Sequence, residues 1–133
     1  MSTAQGLLVG YGMLILVYGF VLGIPLAVAR SGTPQASRHL VTSHLSALMQ
    51  GPVVLGLAFA IGVVSFDSTL SVVAAGLVIA GLVAETLGGT VNWLQGTGDQ
   101  FAEKGLGFRM NALTGVLSIP GIVIIAVVVL SRV

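Results

Sequence analysis

The chain has 133 residues, of which 56% are hydrophobic and only 7% charged, with a formal net charge of +1 and no cysteine. Soluble globular domains carry about a quarter charged residues, so this composition excludes an ordinary water-soluble fold. No basic cluster is present to bind phosphates, and the lack of cysteine excludes disulfides, thiolate metal sites and cysteine nucleophiles.

The first apolar segment, residues 6–29, has no charged side chain. About 20 residues of helix cross the ~30 Å of hydrocarbon in a bilayer, so this segment is long enough to span. A secretory signal has a basic start and a shorter apolar core, whereas residues 1–5 contain no Lys or Arg. We therefore expect a retained transmembrane helix.

Three further segments, residues 40–65, 70–95 and 110–131, are also long and apolar, and the short stretches between them hold nearly all the charge. In lipid, backbone N–H and C=O groups must be hydrogen-bonded within the protein, which allows only helices or closed barrels. None of these segments shows the alternation of polar and apolar residues that is typical of barrel strands. The prediction is an all-α, integral membrane bundle of four transmembrane helices in a single domain, residues 1–133.

Glycines decide how closely such helices pack. Small residues let helix backbones approach each other in lipid, and we expect this role for Gly12, Gly19, Gly23, Gly76, Gly81, Gly88 and Gly89. Four thin helices of 13.5 kDa leave little interior for an enclosed cavity. A useful pocket would form more readily between copies of the chain, so we expect a homo-oligomer.

Basic residues predict the orientation, because Lys and Arg near helix ends favour the cytoplasmic side. Four of the five basic residues fall in the loops after the first and third segments. They are Arg30, Arg38, Lys104 and Arg109. Only Arg132 lies opposite. We expect an inner (plasma) membrane protein of bacterial type, with these two loops in the cytoplasm and both termini on the other side.

The third segment carries an acidic side chain deep in the membrane. Glu85, Gly88, Gly89 and Asn92 are spaced i, i+3, i+4 and i+7, which places them along one stripe of a helix. A carboxylate in lipid is costly unless it is paired or protonated, and such residues often mark a functional path. Glu85 is either hydrogen-bonded glue between helices or a catalytic proton donor or acceptor.

The second segment contains His44 and Gln50, which are six residues apart and therefore about 120° apart around a helix. They share no stripe, but both can border one cavity. His39 is expected at the interface. No second ligand stands at chelating spacing from His44, so a protein-only zinc site is not expected. A cofactor that brings its own equatorial ligands needs only one axial histidine, although an interhelical hydrogen-bonding role for His44 also remains open.

Other polar or aromatic residues have ordinary structural explanations, with a role in a pocket left open. The polar residues of the fourth segment can form hydrogen bonds between helices, and Pro120 can kink that helix. The aromatic residues of the first and third segments can act as anchoring rings. The residues are Tyr11, Tyr18, Trp93, Asn111, Thr114, Gly115 and Ser118.

Several short motifs resemble a known family. Ser43-His44-Leu45 followed by Gln50-Gly51, then Asn92-Trp93-Leu94, a glycine-rich third loop and a Leu-Ser-containing last helix are similar to the hydroxylaminobenzene mutase family. The related styrene oxide isomerases share a histidine followed six residues later by an amide and then glycine. The resemblance covers residues 40–133.

The resemblance implies a membrane isomerase and, from the styrene oxide isomerases, a haem b held between subunits of a trimer. His44 would be the axial ligand of the haem iron, and Arg38 a further cofactor contact. Gln50 would stand where the family has an asparagine, one methylene shorter, beside the open face of the haem. Gln50, Glu85 and Asn92 are the candidate catalytic residues.

The implied reaction rearranges a small apolar aromatic substrate without net redox change, with haem iron as a Lewis acid. The first expectation is conversion of hydroxylaminobenzene to an aminophenol, and the alternative is isomerisation of an epoxide to an aldehyde. Small multidrug transporters form another class, but their membrane glutamate lies in the first helix, which here has none. A haem-carrying subunit without catalysis is a third possibility.

Overall fold

The structure is a computed structural model that describes residues 1–33 and 35–133. It is all-helical over these residues, with four long helices and one short one: α1 (Thr3–Gly32), α2 (Arg38–Val63), α3 (Thr69–Leu94), α4 (Gln100–Glu103) and α5 (Leu106–Leu130). The four long helices are apolar and long enough to cross a membrane, which confirms the predicted four-helix membrane fold. The short helix α4 was not predicted.

Helix ends are set by local hydrogen bonds that apolar segment lengths do not reveal. The Ser2 hydroxyl accepts from the Gln5 backbone N–H at 3.2 Å, and the Gln5 side chain accepts from the Ser2 backbone N–H at 2.9 Å. This capping box starts α1 at Thr3, earlier than the predicted residue 6. Ser68 and Ser71 form the same reciprocal cap at the start of α3.

The long helices pack as two pairs, α1 with α2 and α3 with α5, and the contacts between α2 and α3 are sparser. Glycines allow the α3–α5 backbones to touch. A Cβ placed on Gly81 would lie 2.8 Å from the Ser118 backbone nitrogen, and one on Gly121 would lie 2.6 Å from the Ala74 carbonyl oxygen. Any larger residue at these positions would push the helices apart.

The predicted role of the glycines holds for most positions. In α1, a Cβ on Gly19 would lie 3.2 Å from the Leu48 backbone nitrogen, and one on Gly23 would lie 3.3 Å from His44 Cε1. For Gly76 the prediction is wrong within one chain, because this residue is exposed and a Cβ there would have nothing within 4 Å.

Apolar and polar contacts are concentrated in different halves of the bundle. The half near the termini holds the packed core, with Leu8, Val54, Ile61, Val78 and Ile125 almost completely buried. The half near loop 1 (between α1 and α2) and loop 3 (between α3 and α5) holds most of the buried polar side chains. The candidate site therefore lies in that second half.

Candidate active site between helices α2 and α3

A groove of about 460 Å³ runs between α2 and α3, where the two helix pairs meet. We call it the seam groove. Its walls are mostly apolar, with a few polar side chains at the inner end. The residues that line it are Thr42, Leu45, Ser46, Met49, Gln50, Val53, Leu82 and Glu85. This volume suits a small organic molecule.

One face of α2 supplies the apolar wall of the groove. Leu45, Met49 and Val53 follow i, i+4 and i+8 spacing, which brings them onto one side of the helix. They are 52%, 71% and 57% exposed, so the groove opens sideways from the bundle. Apolar molecules dissolved in a bilayer could enter it from that side.

A network of hydrogen bonds, the polar seam, closes the inner end of the groove. It consists of Tyr11, Ser46, Gln50, Glu85 and Thr86. The Ser46 hydroxyl donates to the Glu85 carboxyl at 2.5 Å and accepts from Gln50 Nε2 at 3.2 Å. Gln50 Oε1 accepts from the Tyr11 hydroxyl at 2.8 Å and from the Thr86 hydroxyl at 3.3 Å. Three helices thus hold one amide in a fixed orientation.

The network leaves two polar groups with unused bonding capacity beside the groove. Gln50 Nε2 carries two hydrogens, and one of them is used on Ser46. Glu85 receives the Ser46 bond on one carboxyl oxygen, and among the described residues the other oxygen has no hydrogen-bond partner. Both side chains line the groove, so an amide donor and a carboxyl face any molecule bound there.

His44 lies on the opposite side of α2 from the groove. Its ring nitrogen Nδ1 is 2.8 Å from the Gly19 carbonyl oxygen of α1. Around α2, at ~100° per residue, His44 is about 140° from the mean direction of Leu45, Met49 and Val53, and it lines none of the cavities described here. One chain therefore does not bring His44 and Gln50 to a common cavity.

Asn92 is also separate from Gln50 and Glu85. Its Nδ2 donates to Gln100 Oε1 of α4 at 2.8 Å, and Asn111 Nδ2 of α5 donates to the same oxygen at 2.9 Å. Asn92 is only 1% exposed. The predicted stripe of Glu85, Gly88, Gly89 and Asn92 thus serves two clusters, with Glu85 beside the groove and Asn92 under the short helix α4.

Two smaller cavities continue from the seam groove toward loop 3. The first has a volume of about 290 Å³ and lies among α2, α3, α4 and α5; we call it the polar cavity because most of its lining side chains are polar. Its lining residues are Thr42, Ser43, Ser46, Glu85, Thr86, Gly89, Gln100, Asn111 and Thr114. The second, about 120 Å³, is a surface cleft whose walls include Arg38, Asp99 and Phe101. Arg38 is thus on the groove side of α2 and not beside His44.

Sequence reasoning missed several members of these networks. Ser46 and Thr86 look unremarkable in sequence, although Ser46 stands one turn before Gln50 on the same helix face and Thr86 follows Glu85. Tyr11 and Tyr18 share one side of α1, which was a usable signal. The Tyr18 hydroxyl lies 2.6 Å from Thr90 Oγ1, so both tyrosines point into the bundle. Gln100 gave no signal, because the short helix that carries it was not predicted.

Fold and site together define a helical membrane protein with an apolar groove that ends on a hydrogen-bonded amide and a carboxyl. The family model for styrene oxide isomerase matches residues 4–133, nearly the whole chain. The chain belongs to the styrene oxide isomerase family, which supports an isomerase embedded in the membrane. No curated protein and no solved structure gives a significant match. The resemblance to the hydroxylaminobenzene mutases has no support from these comparisons.

Proposed function

We propose that this protein isomerises a small aryl epoxide to the corresponding aldehyde inside the membrane, without net oxidation or reduction. The observation that supports this most is the seam groove, whose apolar walls end on Gln50 and Glu85 in a chain of the styrene oxide isomerase family. An aryl group fits the apolar part of the groove, and an epoxide oxygen can accept a hydrogen bond at its polar end.

The reaction moves bonds within one molecule. The C–O bond at the benzylic carbon breaks, hydrogen migrates with its electron pair from the neighbouring carbon to the benzylic carbon, and the neighbouring carbon becomes the carbonyl. A cation-like benzylic carbon would be captured by water in an open site. Leu45, Met49 and Leu82 make this part of the groove apolar, which disfavours water beside the cation-like carbon and so favours rearrangement over hydrolysis.

The polar seam orients the substrate oxygen. Gln50 is held by Tyr11 and Thr86 through its oxygen, so its Nε2 points in a fixed direction with one N–H unused. Because Gln50 is preorganised, it loses little conformational entropy when it donates to the substrate. Glu85 can donate a hydrogen bond when protonated, or hold a proton near the oxygen during ring opening.

His44 is the residue that would hold haem b, and its surroundings fit this role. Ligating histidines commonly donate their second ring N–H to a backbone carbonyl, which fixes the tautomer and strengthens the ligand. The Gly19 carbonyl oxygen lies 2.8 Å from Nδ1 and leaves Nε2 for a metal. Gly23 leaves space beside the ring. When bound to His44, the haem iron would supply Lewis-acid chemistry.

A second copy of the chain would complete such a site. His44 and the seam groove lie on opposite faces of α2, so one chain cannot present both to the same bound molecule. In a ring of identical subunits, the groove of one copy can meet the His44 face of the next. This supports the homo-oligomer, with a trimer as the proposed number.

The test is an absorption spectrum of the detergent-purified protein, with matched histidine variants. We expect a haem Soret band that is lost, together with isomerase activity, in His44→Ala. The control His39→Ala should keep the band, because His39 lies near the helix end on another face of α2. Full haem retention in His44→Ala would show that the ligand assignment is wrong.

The substrate class is tested with two compounds supplied to the same preparation. Styrene oxide should give the aldehyde, whereas hydroxylaminobenzene conversion to an aminophenol with no epoxide turnover would favour the mutase reaction. A colourless protein that transports cations would contradict both and favour the multidrug-type transporter.

Assembly is tested by native mass spectrometry in detergent. We expect haem-bound oligomers with three chains. An active, haem-bound monomer would contradict the proposed shared site.

A further inference from the structure

The three cavities beside α2 adjoin one another through shared wall residues, in a series from the loop 3 surface to Glu85. The seam groove and the polar cavity share Thr42, Ser46 and Glu85 in their walls. The polar cavity and the surface cleft share Thr42, Gly89, Gln100 and Asn111. Glu85 therefore stands between an apolar space on one side and a polar space on the other.

The polar cavity contains buried groups that lack hydrogen-bond partners. Ser43 Oγ, Asn111 Oδ1 and Thr114 Oγ1 are all buried and make no hydrogen bond within residues 1–33 and 35–133. Ser43 is only 4% exposed. Buried hydroxyls and amide oxygens in folded proteins are nearly always bonded to protein or to ordered water, and three unpaired groups around one space point to water.

The cavity is large enough for this occupant. One water occupies about 30 Å³ in the liquid, so the roughly 290 Å³ of the polar cavity accommodates several. Gly89 makes room for the Ser43 hydroxyl at the wall of this space, because a Cβ at this position would meet that hydroxyl. In contrast, Ser118 on the same helix as Thr114 donates to the Val78 carbonyl at 3.4 Å and lines no described cavity.

We propose that the polar cavity holds a chain of water molecules that links Glu85 to the aqueous phase on the side of loops 1 and 3. Gln100 forms the neck between the cavity and the surface cleft, where both Asn92 and Asn111 hold it by hydrogen bonds. Protons reach Glu85 through this water, while the substrate occupies the apolar groove. The Ser46–Glu85 hydrogen bond lies at the boundary between the two spaces.

This inference goes beyond the proposed reaction and does not depend on haem or on the identity of the substrate. Ionisable side chains inside a membrane commonly mark proton or ion paths. The isomerisation consumes no net proton, so this water lets Glu85 exchange protons with the aqueous phase between turnovers, whereas a purely structural carboxyl needs no such path.

The chain has no native cysteine, so single substitutions report water access without background. The probe is 2-aminoethyl methanethiosulfonate, which reacts with thiolates and therefore needs a hydrated thiol. Ser43→Cys and Thr114→Cys should be labelled at least about tenfold faster than the matched control Ser118→Cys. Ser43 and Ser118 are equally buried, at 4% and 5% exposed, so burial alone predicts equal rates.

A filling substitution tests whether the access runs through the cavity. In the Ser43→Cys protein, Thr114→Leu should slow labelling about tenfold by displacing water, whereas Gly115→Leu, on the exposed side of α5, should leave the rate unchanged. In sealed vesicles with a thiol scavenger on the opposite side, labelling should be fast only when reagent is added on the side of loops 1 and 3. The proposal is overturned if both cavity thiols react as slowly as Ser118→Cys, or if Thr114→Leu leaves the Ser43→Cys rate unchanged.

Discussion

Helix α3 has two sides that are packed in different ways. Toward α5, glycines bring the backbones into direct contact, and a Cβ on Gly88 would lie 2.7 Å from the Gly107 carbonyl oxygen. Toward α2, the helices are held apart by side chains and cavities remain. The Ser46 hydroxyl donates to Glu85, and the Thr86 hydroxyl donates to Gln50. The same helix therefore carries a structural face and a face suited to chemistry.

The difference has a physical cause. Helix association in lipid depends on close packing and on interhelical hydrogen bonds, because lipid tails are as apolar as the helices. The α3–α5 contact uses close packing, which leaves no space for a ligand. The α2–α3 contact uses hydrogen bonds, which hold the helices together at a distance that leaves a groove. A small membrane protein can thus build a binding site without a large core.

The largest expected effect separates chemistry from structure on the α2 side. Glu85→Gln keeps an acceptor for the Ser46 hydroxyl but cannot transfer a proton. If Glu85 acts as an acid or base, this variant should assemble normally and isomerise the substrate about 10²-fold more slowly or worse. Turnover and melting temperature of the purified variant, measured together, check this outcome.

Glu85→Ala provides the comparison. It removes the acceptor as well and leaves the Ser46 hydroxyl unpaired, so stability should fall together with activity. If Glu85 only joins the helices, the Gln variant should be nearly as active as the parent and only the Ala variant should be harmed. A stable, fully active Glu85→Ala would contradict both roles.

The next effect concerns stability on the α5 side. Gly81→Ala places a methyl group 2.8 Å from the Ser118 backbone nitrogen and 2.9 Å from the Thr114 carbonyl oxygen. Overpacking of this kind costs about 1–3 kcal/mol, so the melting temperature in detergent should fall. Gly76→Ala on the same helix is the control, because it meets nothing within 4 Å and improves helix propensity. Equal melting temperatures for the two variants would show that the α3–α5 contact is looser than described.

Much of the fold could be predicted from composition, because the length of an uncharged apolar run directly limits what it can be in a bilayer. The helix ends were harder to predict, since α5 begins at Leu106 on the Gly105 cap and not at residue 110. The short helix α4 ends at Glu103, and its C-cap residue Lys104 adopts a left-handed conformation with φ of 48°. Neither feature changes the hydrophobicity of the segment.

The candidate site was only partly predictable. Glu85 and Gln50 were found because a carboxyl and an amide are conspicuous in an apolar helix, and the structure brings them together through Ser46. Their partners could not be identified, because a serine or threonine in a membrane helix can also bond to its own backbone. The orientation of His44 toward α1 could not be predicted either. It depends on which helices pair with each other, and the sequence of a single helix does not determine that pairing.

The smallest expected effect tests how firmly the polar seam holds Gln50. Tyr11→Phe removes the hydroxyl that donates to Gln50 Oε1 at 2.8 Å, and Thr86→Val removes the second donor at 3.3 Å. Hydrogen bonds between membrane helices contribute about 0.6 kcal/mol on average, so each single variant should lose little stability while the other donor remains. The double variant leaves Gln50 Oε1 without either donor, and its loss of stability should exceed the sum of the two single losses.

A double-mutant cycle on unfolding free energy and on kcat/KM measures this coupling. If the two losses simply add and kcat/KM is unchanged throughout, Gln50 is not oriented by the seam, and the preorganised amide proposed for the groove would have to be abandoned.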